Sequence, residues 1–438
     1  MNVRIYQLAM RTFTAEGTLK SAEKMLPYIA SMGFTHVQLT PVSLADDGTD
    51  RTFWSRRQIA SGTENPANNY RMKDYFHVDP EYGTDGDFRD FVKSAHRAGL
   101  KVMADLVYFH CGPNAVFLKE HPDFVRHNPD GSVNCGEWHF PVLNFHCEGL
   151  REYLWENMEL YIRDFDVDGF RCDVGDYVPL DFWREGFRRC RMLKQDLFLL
   201  NEGHNQEYLG VFDCNYFSPV AFSVPQVVKG EMSAEEFRAG WEAWRKTLPR
   251  EGRMLHFLDN HDVASDSGED RLEKTLGHDA MDALHVLDYT LDGVPFVFCG
   301  NELADSLKHN MFANRFHGKD APVQWENALC AAGQKRMEIV KRCNRLRDEY
   351  PALNTADLVW LEHDQTDHVL AFVRPGEESL LVLISLSPEK LRVRFRGNPG
   401  TDNIRCVMNS GTDLFREGES AEAEISGFGY YVGICGAK

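Results

Sequence analysis

The chain has 438 residues and a formal net charge of −19, with 43% hydrophobic and 26% charged residues. This length is typical of one large domain with a smaller one, and the composition is that of a globular protein. The negative charge disfavours nucleic acids and acidic membrane surfaces as partners, whereas a neutral substrate is compatible with it. No apolar run is long enough for a secretion signal or a membrane span. The eleven cysteines form no Cys-X-X-Cys pair, so we expect free thiols and a cytoplasmic protein.

Short apolar runs alternate with amphipathic runs through residues 1–351. This alternation predicts eight β-strands with helices between them. The predicted strands are, in chain order, 3–9, 35–40, 101–107, 169–173, 197–202, 212–217, 254–259 and 294–299. The predicted helices are 21–32, 86–98, 148–165, 181–194, 233–247, 270–288 and 326–348.

Eight alternating units predict an α/β fold, a closed (β/α)₈ TIM barrel, rather than an open doubly wound sheet. The open sheet lacks support because no Gly-X-Gly-X-X-Gly or P-loop sequence follows any strand. Two segments, 41–85 and 110–147, are too long and irregular for ordinary βα loops, and the second predicts an inserted domain. After residue 351, alternating strands predict a C-terminal antiparallel β-sandwich. The predicted units are the barrel at 1–109 and 148–351, the insertion at 110–147, and the β-sandwich at 352–438.

The fourth predicted strand carries an arginine and an aspartate on one face. Strand side chains alternate, so Arg171 and Asp173 point to the same side. The guanidinium can hold the carboxylate ionised and oriented, and such a carboxylate at a strand end can act as a nucleophile. A structural ion pair explains this pair alone equally well.

Acidic residues occur at the ends of several other predicted strands. An acid at the end of an apolar strand is unfavourable unless it is paired or used, and one such case is usually an ion pair. Because a barrel enzyme keeps its chemistry at the carboxyl ends of its strands, several acids on one ring predict a catalytic site. These acids are Asp105, Asp173, Glu202, Asp259 and Asp262.

A set of three carboxyl groups suits the cleavage of a glycosidic bond through an oxocarbenium-like transition state. Asp173, beside Arg171, suits the nucleophile. Glu202 suits the acid/base, since crowding by other acids favours its protonated form. His110 and His261 can hydrogen-bond sugar hydroxyls, although single histidines are more often structural. Tyr70 and Trp54 offer flat faces for a sugar ring, with ordinary packing as an equal alternative.

Several motifs, in order along the chain, resemble the α-amylase family of glycoside hydrolases (family 13), nearest to its neopullulanase and cyclomaltodextrinase members. Any one of these motifs is weak, but six in order on the expected strands are specific. The resembling segments are 33–41, 105–110, 169–173, 257–262 and 293–302, with Glu202 at the position of the fifth-strand acid/base and 69–83 like the segment whose tyrosine stacks on a sugar.

The resemblance implies a barrel, an inserted domain B and a C-terminal β-sandwich. It also implies that Asp173 is the nucleophile, Glu202 the acid/base and Asp262 the stabiliser of the transition state. For a retaining reaction, we expect the carboxyls of Asp173 and Glu202 to lie about 5–5.5 Å apart. The residues implied to bind the substrate are Tyr70, Asp105, His110, Arg171 and His261.

Two departures from the family concern its calcium ion. Phe109 replaces the asparagine that precedes the third-strand histidine, and Val142 replaces an aspartate of the inserted domain. Calcium requires several oxygen ligands. We therefore predict no metal and no other cofactor. Residues 174–179 lack the Lys-His pair of many endo-acting α-amylases, and Asn201 replaces a glycine common before the acid/base.

The function that the sequence favours is hydrolysis of α-glucosidic bonds in malto-oligosaccharides or related α-glucans. A transglycosylase or a sugar phosphorylase on the same barrel is the alternative. A non-catalytic carbohydrate-binding member is disfavoured because all three acids are present. Trp138, Phe312 and Trp325 are candidates for outer subsites, with packing as an equal alternative. The predicted partner is an oligosaccharide, and the sequence makes no prediction of the oligomeric state.

Overall fold

The structure, a computed structural model, describes residues 2–216, 219–266, 270–318, 322–396, 404–417 and 420–435. Its central sheet has eight parallel strands: β1 Ile5–Leu8, β2 His36–Leu39, β3 Lys101–Leu106, β4 Gly169–Cys172, β5 Phe198–Asn201, β6 Cys214–Asn215, β7 Leu255–His256 and β8 Val294–Phe298. They are hydrogen-bonded in the order β6-β5-β4-β3-β2-β1-β8-β7. A parallel bridge between Asn215 and Met254 joins the two ends of this order and closes the ring. The predicted (β/α)₈ barrel is confirmed.

The barrel strands are apolar because both faces of the ring are covered. Every residue of β8, Val-Pro-Phe-Val-Phe, is buried, as expected of parallel strands with side chains inside the barrel and helices outside. The register is continuous around β1, where Ile5 pairs with Phe296 on one side and with His36 on the other. Two predicted strands keep only two residues each. The 212–217 prediction reduces to β6 and ends at a residue outside the described ranges, and 254–259 reduces to β7.

Helices surround the ring. The α-helices are Met10–Phe13, Leu19–Glu23, Leu26–Ser31, Arg56–Ala60, Asp85–Arg97, Glu148–Arg163, Leu180–Leu193, Val220–Val228, Ala234–Arg245, Val263–Asp266, Leu272–Leu276, His278–Thr290 and Ala331–Glu349. The 3₁₀ helices are Arg51–Phe53, Val116–Lys119, Pro122–Phe124, Gly175–Tyr177, Gln206–Gly210, Asn301–Leu303, Trp325–Leu329 and Pro351–Asn354.

Two predicted helices are each divided in two, for local reasons. The 21–32 prediction is interrupted where Pro27 begins a new helix at Leu26–Ser31. The 270–288 prediction is interrupted at Gly277, whose φ of 85° lies in the left-handed region that favours glycine.

The long segment between β2 and β3 is more regular than predicted. It contains an antiparallel hairpin of Ser43–Asp46 and Asn68–Val78, with three register shifts along its pairing. The segment after β3 is less regular. It is held by isolated antiparallel bridges, such as Val125 with Leu143 and Cys135 with Pro141. Both segments lie at the carboxyl end of the barrel, where active sites of this fold are found.

The C-terminal part is an antiparallel sheet of six strands: β9 Val359–Trp360, β10 Val369–Arg374, β11 Ser379–Ser385, β12 Leu391–Arg394, β13 Arg405–Glu417 and β14 Ser420–Cys435. The order is β9-β10-β11-β14-β12, with β13 also paired to β14. Alternate side chains of β10 pack into two different hydrophobic cores. Val369 and Ala371 pack inside the C-terminal part, whereas Leu370 and Phe372 belong to the core shared with the barrel.

All eleven cysteines are free, and six of them are buried. Within the described ranges, no helix combines the length and the apolar character needed to cross a membrane.

Candidate active site

The carboxyl ends of the strands bring the predicted acids to one edge of the barrel. Asp173 directly follows β4, and Glu202 directly follows β5. Asp262 lies six residues beyond the end of β7. The three carboxyl groups, distant in sequence, line one cavity of about 160 Å³. The other lining residues are Ser55, Arg57, Asn68, Tyr70, His110, Trp138, Phe140, Val174, His261, Met311 and Phe312.

A single buried guanidinium holds three carboxyl groups beneath this cavity. Nη1 of Arg171 donates to Asp173 Oδ1 at 2.8 Å and to both oxygens of Asp105 at 2.8 and 3.0 Å. Its Nη2 lies 2.6 Å from Glu202 Oε1. Arg171 and Asp105 are not part of the cavity lining. They therefore support the acids from below, and Asp105 pairs with the arginine rather than facing the cavity.

Glu202 is placed and protonated by its surroundings. Its Oε2 accepts a hydrogen bond of 2.8 Å from the Val174 backbone N–H. Burial raises the pKa of Glu202 to about 8, against the opposing attraction of Arg171. At neutral pH its carboxyl group is therefore mostly protonated. Such a group can donate a proton.

Asp262 has the opposite protonation state. Burial disfavours its charge, but His261 and Arg57 lower its pKa to about 2. Because burial lowers the pKa of His261 to about 4, that ring is uncharged at neutral pH. The charge that acts on Asp262 there is the Arg57 guanidinium, whose Nη1 donates to Asp262 Oδ1 at 2.8 Å. Asp262 is thus ionised beside a protonated Glu202.

Tyr70 and His261 form one wall of the cavity. Their rings stack with centroids 5.3 Å apart and an interplanar angle of 13°. The Tyr70 hydroxyl lies 2.7 Å from His261 Nε2 and 3.1 Å from Asp105 Oδ2. The buried side chain of Gln7, from β1, holds His261 on the other side, at 2.9 Å from Nδ1. This chain of hydrogen bonds fixes both rings.

His110 and Trp138 also line the cavity. His110 Nε2 lies 2.9 Å from the backbone oxygen of Tyr70, whereas its Nδ1 is buried and has no hydrogen-bond partner among the described residues. The Trp138 ring lies 5.5 Å from the His110 ring. Burial lowers the pKa of His110, so this ring is neutral and can exchange a hydrogen bond with a sugar hydroxyl.

Two aromatic candidates pack within the protein and do not line this cavity. Trp54 is 3% exposed, and its indole N–H donates to the Gly48 carbonyl, so the ring offers no face to a sugar. The Trp325 indole donates to the Phe13 carbonyl at 2.8 Å, and the ring packs edge-on against Phe13. Trp138 and Phe312, by contrast, line the cavity.

Asp259, the fifth acid at a strand end, has a structural partner instead. Its Oδ2 accepts hydrogen bonds from Arg271 Nε at 3.1 Å and from Asn301 Nδ2 at 3.0 Å. The side chain is fully buried and does not line the cavity. The simplest explanation for this acid is therefore an ion pair.

Sequence reasoning missed several residues of the cavity. Arg57 comes from the helix Arg56–Ala60 in the long segment after β2, and Asn68 begins the hairpin strand that carries Tyr70. Met311 comes from the segment after β8. No local pattern marks these positions, because they reach the site through the path of long loops rather than through a strand end.

The residues at the expected calcium site do not fit a cation. The Phe109 ring packs against Tyr177 and Trp138, with centroids 5.2 and 5.8 Å apart. Val142 pairs with His110 through a backbone bridge, and its side chain has no oxygen. Within the described ranges, no three His, Cys, Asp or Glu side chains are grouped as a metal site. The absence of calcium stays a prediction.

Comparison with known proteins agrees with this geometry. Residues 7–130 match the family model described as the catalytic domain of alpha-amylase. The predicted resemblance to the α-amylase family is confirmed. This α-amylase-like chain is 25% identical over 406 residues to a cyclomaltodextrinase of Geobacillus thermopakistaniensis, covering 86% of the chain and 63% of the relative. It is also 25% identical over 422 residues to an alpha-1,4-glucan:maltose-1-phosphate maltosyltransferase of Myxococcus xanthus, covering 87% of the chain and 58% of the relative.

A solved structure extends the likeness to the whole chain. The noncanonic maltogenic alpha-amylase AmyB of Thermotoga neapolitana superposes with a TM-score of 0.83, at 23% identity, covering 99% of both chains. At this identity the likeness establishes the fold. The chain spans only about three fifths of the length of the two curated relatives.

Proposed function

We propose that this chain is a retaining α-glycoside hydrolase that cleaves α-glucosidic bonds of malto-oligosaccharides or related α-glucans. The observation that carries the proposal is Arg171, whose two terminal nitrogens hold Asp173 and Glu202 at one cavity. Carboxyl groups held by one guanidinium lie close together. This supports the spacing of about 5–5.5 Å that retention requires over the about 6.5–9.5 Å of inversion.

The proposed reaction has two displacements. In the first, Asp173 attacks the anomeric carbon while Glu202 protonates the departing glycosidic oxygen, giving a covalent glycosyl-aspartate. In the second, Glu202 removes a proton from water, and the water displaces Asp173. The protonated state of Glu202 at neutral pH, due to burial, suits the first role.

Asp262 is the third acid of the proposed mechanism. A positive charge develops on the sugar ring in the transition state, and an ionised carboxylate nearby stabilises it. The low pKa of Asp262, which His261 and Arg57 maintain, keeps this charge present. Tyr70, His110 and His261 are the proposed contacts to the sugar that is cleaved, since they line the same cavity.

The names of the relatives support this substrate class. One relative is a cyclomaltodextrinase, and the superposed structure is a maltogenic alpha-amylase. The maltosyltransferase relative supports the alternative function, a transglycosylase or phosphorylase that passes the sugar to an acceptor other than water. The two functions share the first displacement and differ in the second.

Product analysis with maltose, isomaltose, panose, sucrose, cyclodextrins and pullulan tests the function. We expect reducing sugars released as α-anomers, and no dependence on added acceptor sugar or phosphate. Asp173→Asn should lower kcat/KM by more than about a thousandfold, since it removes the nucleophile with almost no change of shape.

Asp181→Asn is the matched control. Asp181 is 63% exposed and pairs with Arg151 on the surface, so its variant should retain full activity. An Asp173→Asn variant that keeps a tenth or more of the activity contradicts the proposal. Release of β-anomers contradicts the retaining mechanism, and products that form only with an acceptor favour the alternative function.

A further inference from the structure

A carboxylate outside the cavity connects the loops that follow β4 and β5. Asp176 lies in the 3₁₀ helix Gly175–Tyr177, three residues after Asp173. Its Oδ2 accepts hydrogen bonds from the backbone N–H groups of His204 at 2.8 Å and Asn205 at 2.9 Å. Its Oδ1 accepts a hydrogen bond of 2.8 Å from Asn201 Nδ2. The Asp176 side chain is 16% exposed.

These three donors flank Glu202 along the chain. Asn201 is the residue before it, and the two backbone donors follow it by two and three residues. Asn201 is in turn tied to β6 by a 3.0 Å hydrogen bond to Asn215 Oδ1. Asp176 therefore fixes the backbone on both sides of Glu202 without contacting the Glu202 carboxyl group.

The space around this connection is filled. A Cβ atom on Gly203 would lie 2.1 Å from Asp176 Oδ1, and a Cβ on Gly175 would lie 2.2 Å from Asn201 Oδ1. Both distances are far shorter than any van der Waals contact. Glycine at these two positions lets the loops approach closely enough for the three hydrogen bonds to form.

Among the residues that the structure describes, two contacts orient the Glu202 carboxyl group. They are the Arg171 Nη2 contact at 2.6 Å and the Val174 N–H hydrogen bond at 2.8 Å. Proton donation requires the acid within hydrogen-bond reach of the glycosidic oxygen, and a misplacement of about 1 Å can lower the rate about a hundredfold. The position of the backbone at 202 thus decides whether the proton reaches the leaving group.

We infer that Asp176 is a positioning residue for proton donation by Glu202, acting through the backbone of residues 201–205. The inference rests on the proposed function, in which Glu202 is the general acid. Asp176 touches neither the substrate nor the reacting atoms in this proposal. Its loss moves the acid while leaving Asp173 and its partner Arg171 in place.

Leaving groups of different acidity test the inference. The glycosidic oxygen of maltotriose departs with a proton from Glu202, whereas the fluoride of α-maltosyl fluoride departs as an anion and needs little protonation. kcat/KM reports the first irreversible step, the attack by Asp173, for both substrates. We expect Asp176→Asn to lower kcat/KM for maltotriose by about tenfold to a hundredfold, part of the about 10²–10⁴ that general acid catalysis contributes. For the fluoride the loss should be less than about threefold.

Three further variants make each outcome decisive. Asp176→Ala removes all three hydrogen bonds and should show a larger loss with the same selectivity, and circular dichroism of both variants checks that they are folded. Asp181→Asn again serves as the control, with both substrates unaffected. Glu202→Gln is the reference for loss of the acid itself, and should lose maltotriose cleavage while keeping attack on the fluoride.

Equal losses for both substrates in folded Asp176 variants overturn the inference, because a purely structural defect does not depend on the leaving group. No loss for either substrate overturns it as well. If Glu202→Gln also affects both substrates equally, the assignment of the general acid fails, and the proposed function fails with it. Selective loss in Glu202→Gln but not in Asp176→Asn leaves the function standing and rejects the role of Asp176 alone.

Discussion

One guanidinium lies beneath three buried carboxyl groups and influences the protonation state of each. Arg171 provides a single positive charge for Asp105, Asp173 and Glu202. Burial raises the pKa of Glu202 to about 8 and that of Asp105 to about 7, although both contact the arginine. A low-dielectric cluster with more acids than bases retains protons at neutral pH. One acid of the site can therefore donate a proton while others stay charged.

The pH dependence of activity results from the raised pKa of Glu202. The protonated form is the active acid, so kcat/KM for maltotriose should be constant from neutral pH to about pH 8 and fall tenfold per pH unit above it. With α-maltosyl fluoride, whose fluoride departs with little protonation, the alkaline decrease should be much smaller. A profile for maltotriose that stays flat to about pH 10 would show that Glu202 is not the acid.

Arg57 controls the ionisation of Asp262. Arg57→Met removes the 2.8 Å ion pair, so the pKa of Asp262 should rise from about 2 toward that of a free carboxyl group. Because both side chains are partly exposed, at 43% and 30%, the pair is worth no more than about 1 kcal/mol. Because Asp262 stays ionised at neutral pH even with a higher pKa, we expect kcat/KM there to change by less than about twofold. The acidic limb of the pH profile should move upward by less than about one pH unit.

Arg56→Met is the matched control for Arg57, since Arg56 is its exposed neighbour on the same helix. It should leave the pH profile unchanged. An acidic limb that does not move in Arg57→Met would contradict the electrostatic role of Arg57.

At the residue scale, the sequence predicts the position of the side chains that come directly after a strand. Asp173 and Glu202 could be placed because strand alternation and strand ends fix their direction. Arg57 could not be predicted, because its position depends on the path of a long loop. Trp54 was predicted to face a sugar but is buried. Nothing in the sequence around it distinguishes a buried indole from an exposed one.

At the scale of elements, the segment after β2 is organised around one buried arginine. Arg71 donates to four backbone carbonyls, those of Asp46, Gly48, Phe53 and Pro66, at 2.6–3.0 Å. These carbonyls come from separate turns of the segment. Arg71 is the residue after Tyr70, so it also anchors the tyrosine that lines the cavity.

Replacing Arg71 should destabilise the protein. Arg71→Met leaves several buried carbonyls without donors and leaves the Asp46 carboxylate, 3.8 Å away, without its cation. Removal of one partner from such buried groups costs about 3–5 kcal/mol. We expect a decrease of this size in the free energy of unfolding, measured by urea denaturation, together with a raised KM.

Arg51→Met serves as the control within the same segment. Arg51 is 59% exposed and pairs weakly with the exposed Glu64, so its loss should cost less than about 1 kcal/mol. Equal effects of the two substitutions would show that Arg71 does not organise the segment.

Element boundaries were predictable only where a chemical signal marks them. The helix Asp85–Arg97 begins with a capping box of Thr84 and Asp87, and Gly99, with a φ of 81°, lies just beyond its end. The hairpin of Ser43–Asp46 and Asn68–Val78 carries no such signal. Its strands are separated by more than twenty residues in sequence, and its irregular register hides the alternation of side chains.

At the scale of the whole molecule, the barrel and the C-terminal sheet share one apolar core. The chain order of strands and helices predicted both parts, but not their attachment, because amphipathic alternation does not reveal what covers the outer face. That attachment includes a buried arginine of β10. Arg374 donates to the carbonyls of Thr290, at the end of a barrel helix, and of Ala352 and Thr355, at the junction between the two parts.

Arg374→Met should destabilise both parts together. The substitution leaves buried carbonyls unsatisfied, at about 1–3 kcal/mol for each group, so the free energy of unfolding should fall by about 3 kcal/mol or more. Because the core is shared, we expect one calorimetric transition at a lower temperature. Arg394→Met, on the exposed face of β12, is the control and should leave the transition unchanged. Two separate transitions in either variant would show that the sheet unfolds independently of the barrel.

The closure of the ring has a consequence for the reaction. β6 and β7 have only two residues each, and between them the ring is completed through the Asn215–Met254 bridge. Few backbone hydrogen bonds join the described residues across this seam, so we expect the barrel wall to separate there more readily than between its longer strands. β7 leads to Asp262, whereas Glu202 and Asp173 lie beyond the other side of the seam. A widening of this seam would therefore increase the distance from Asp262 to Glu202 and Asp173.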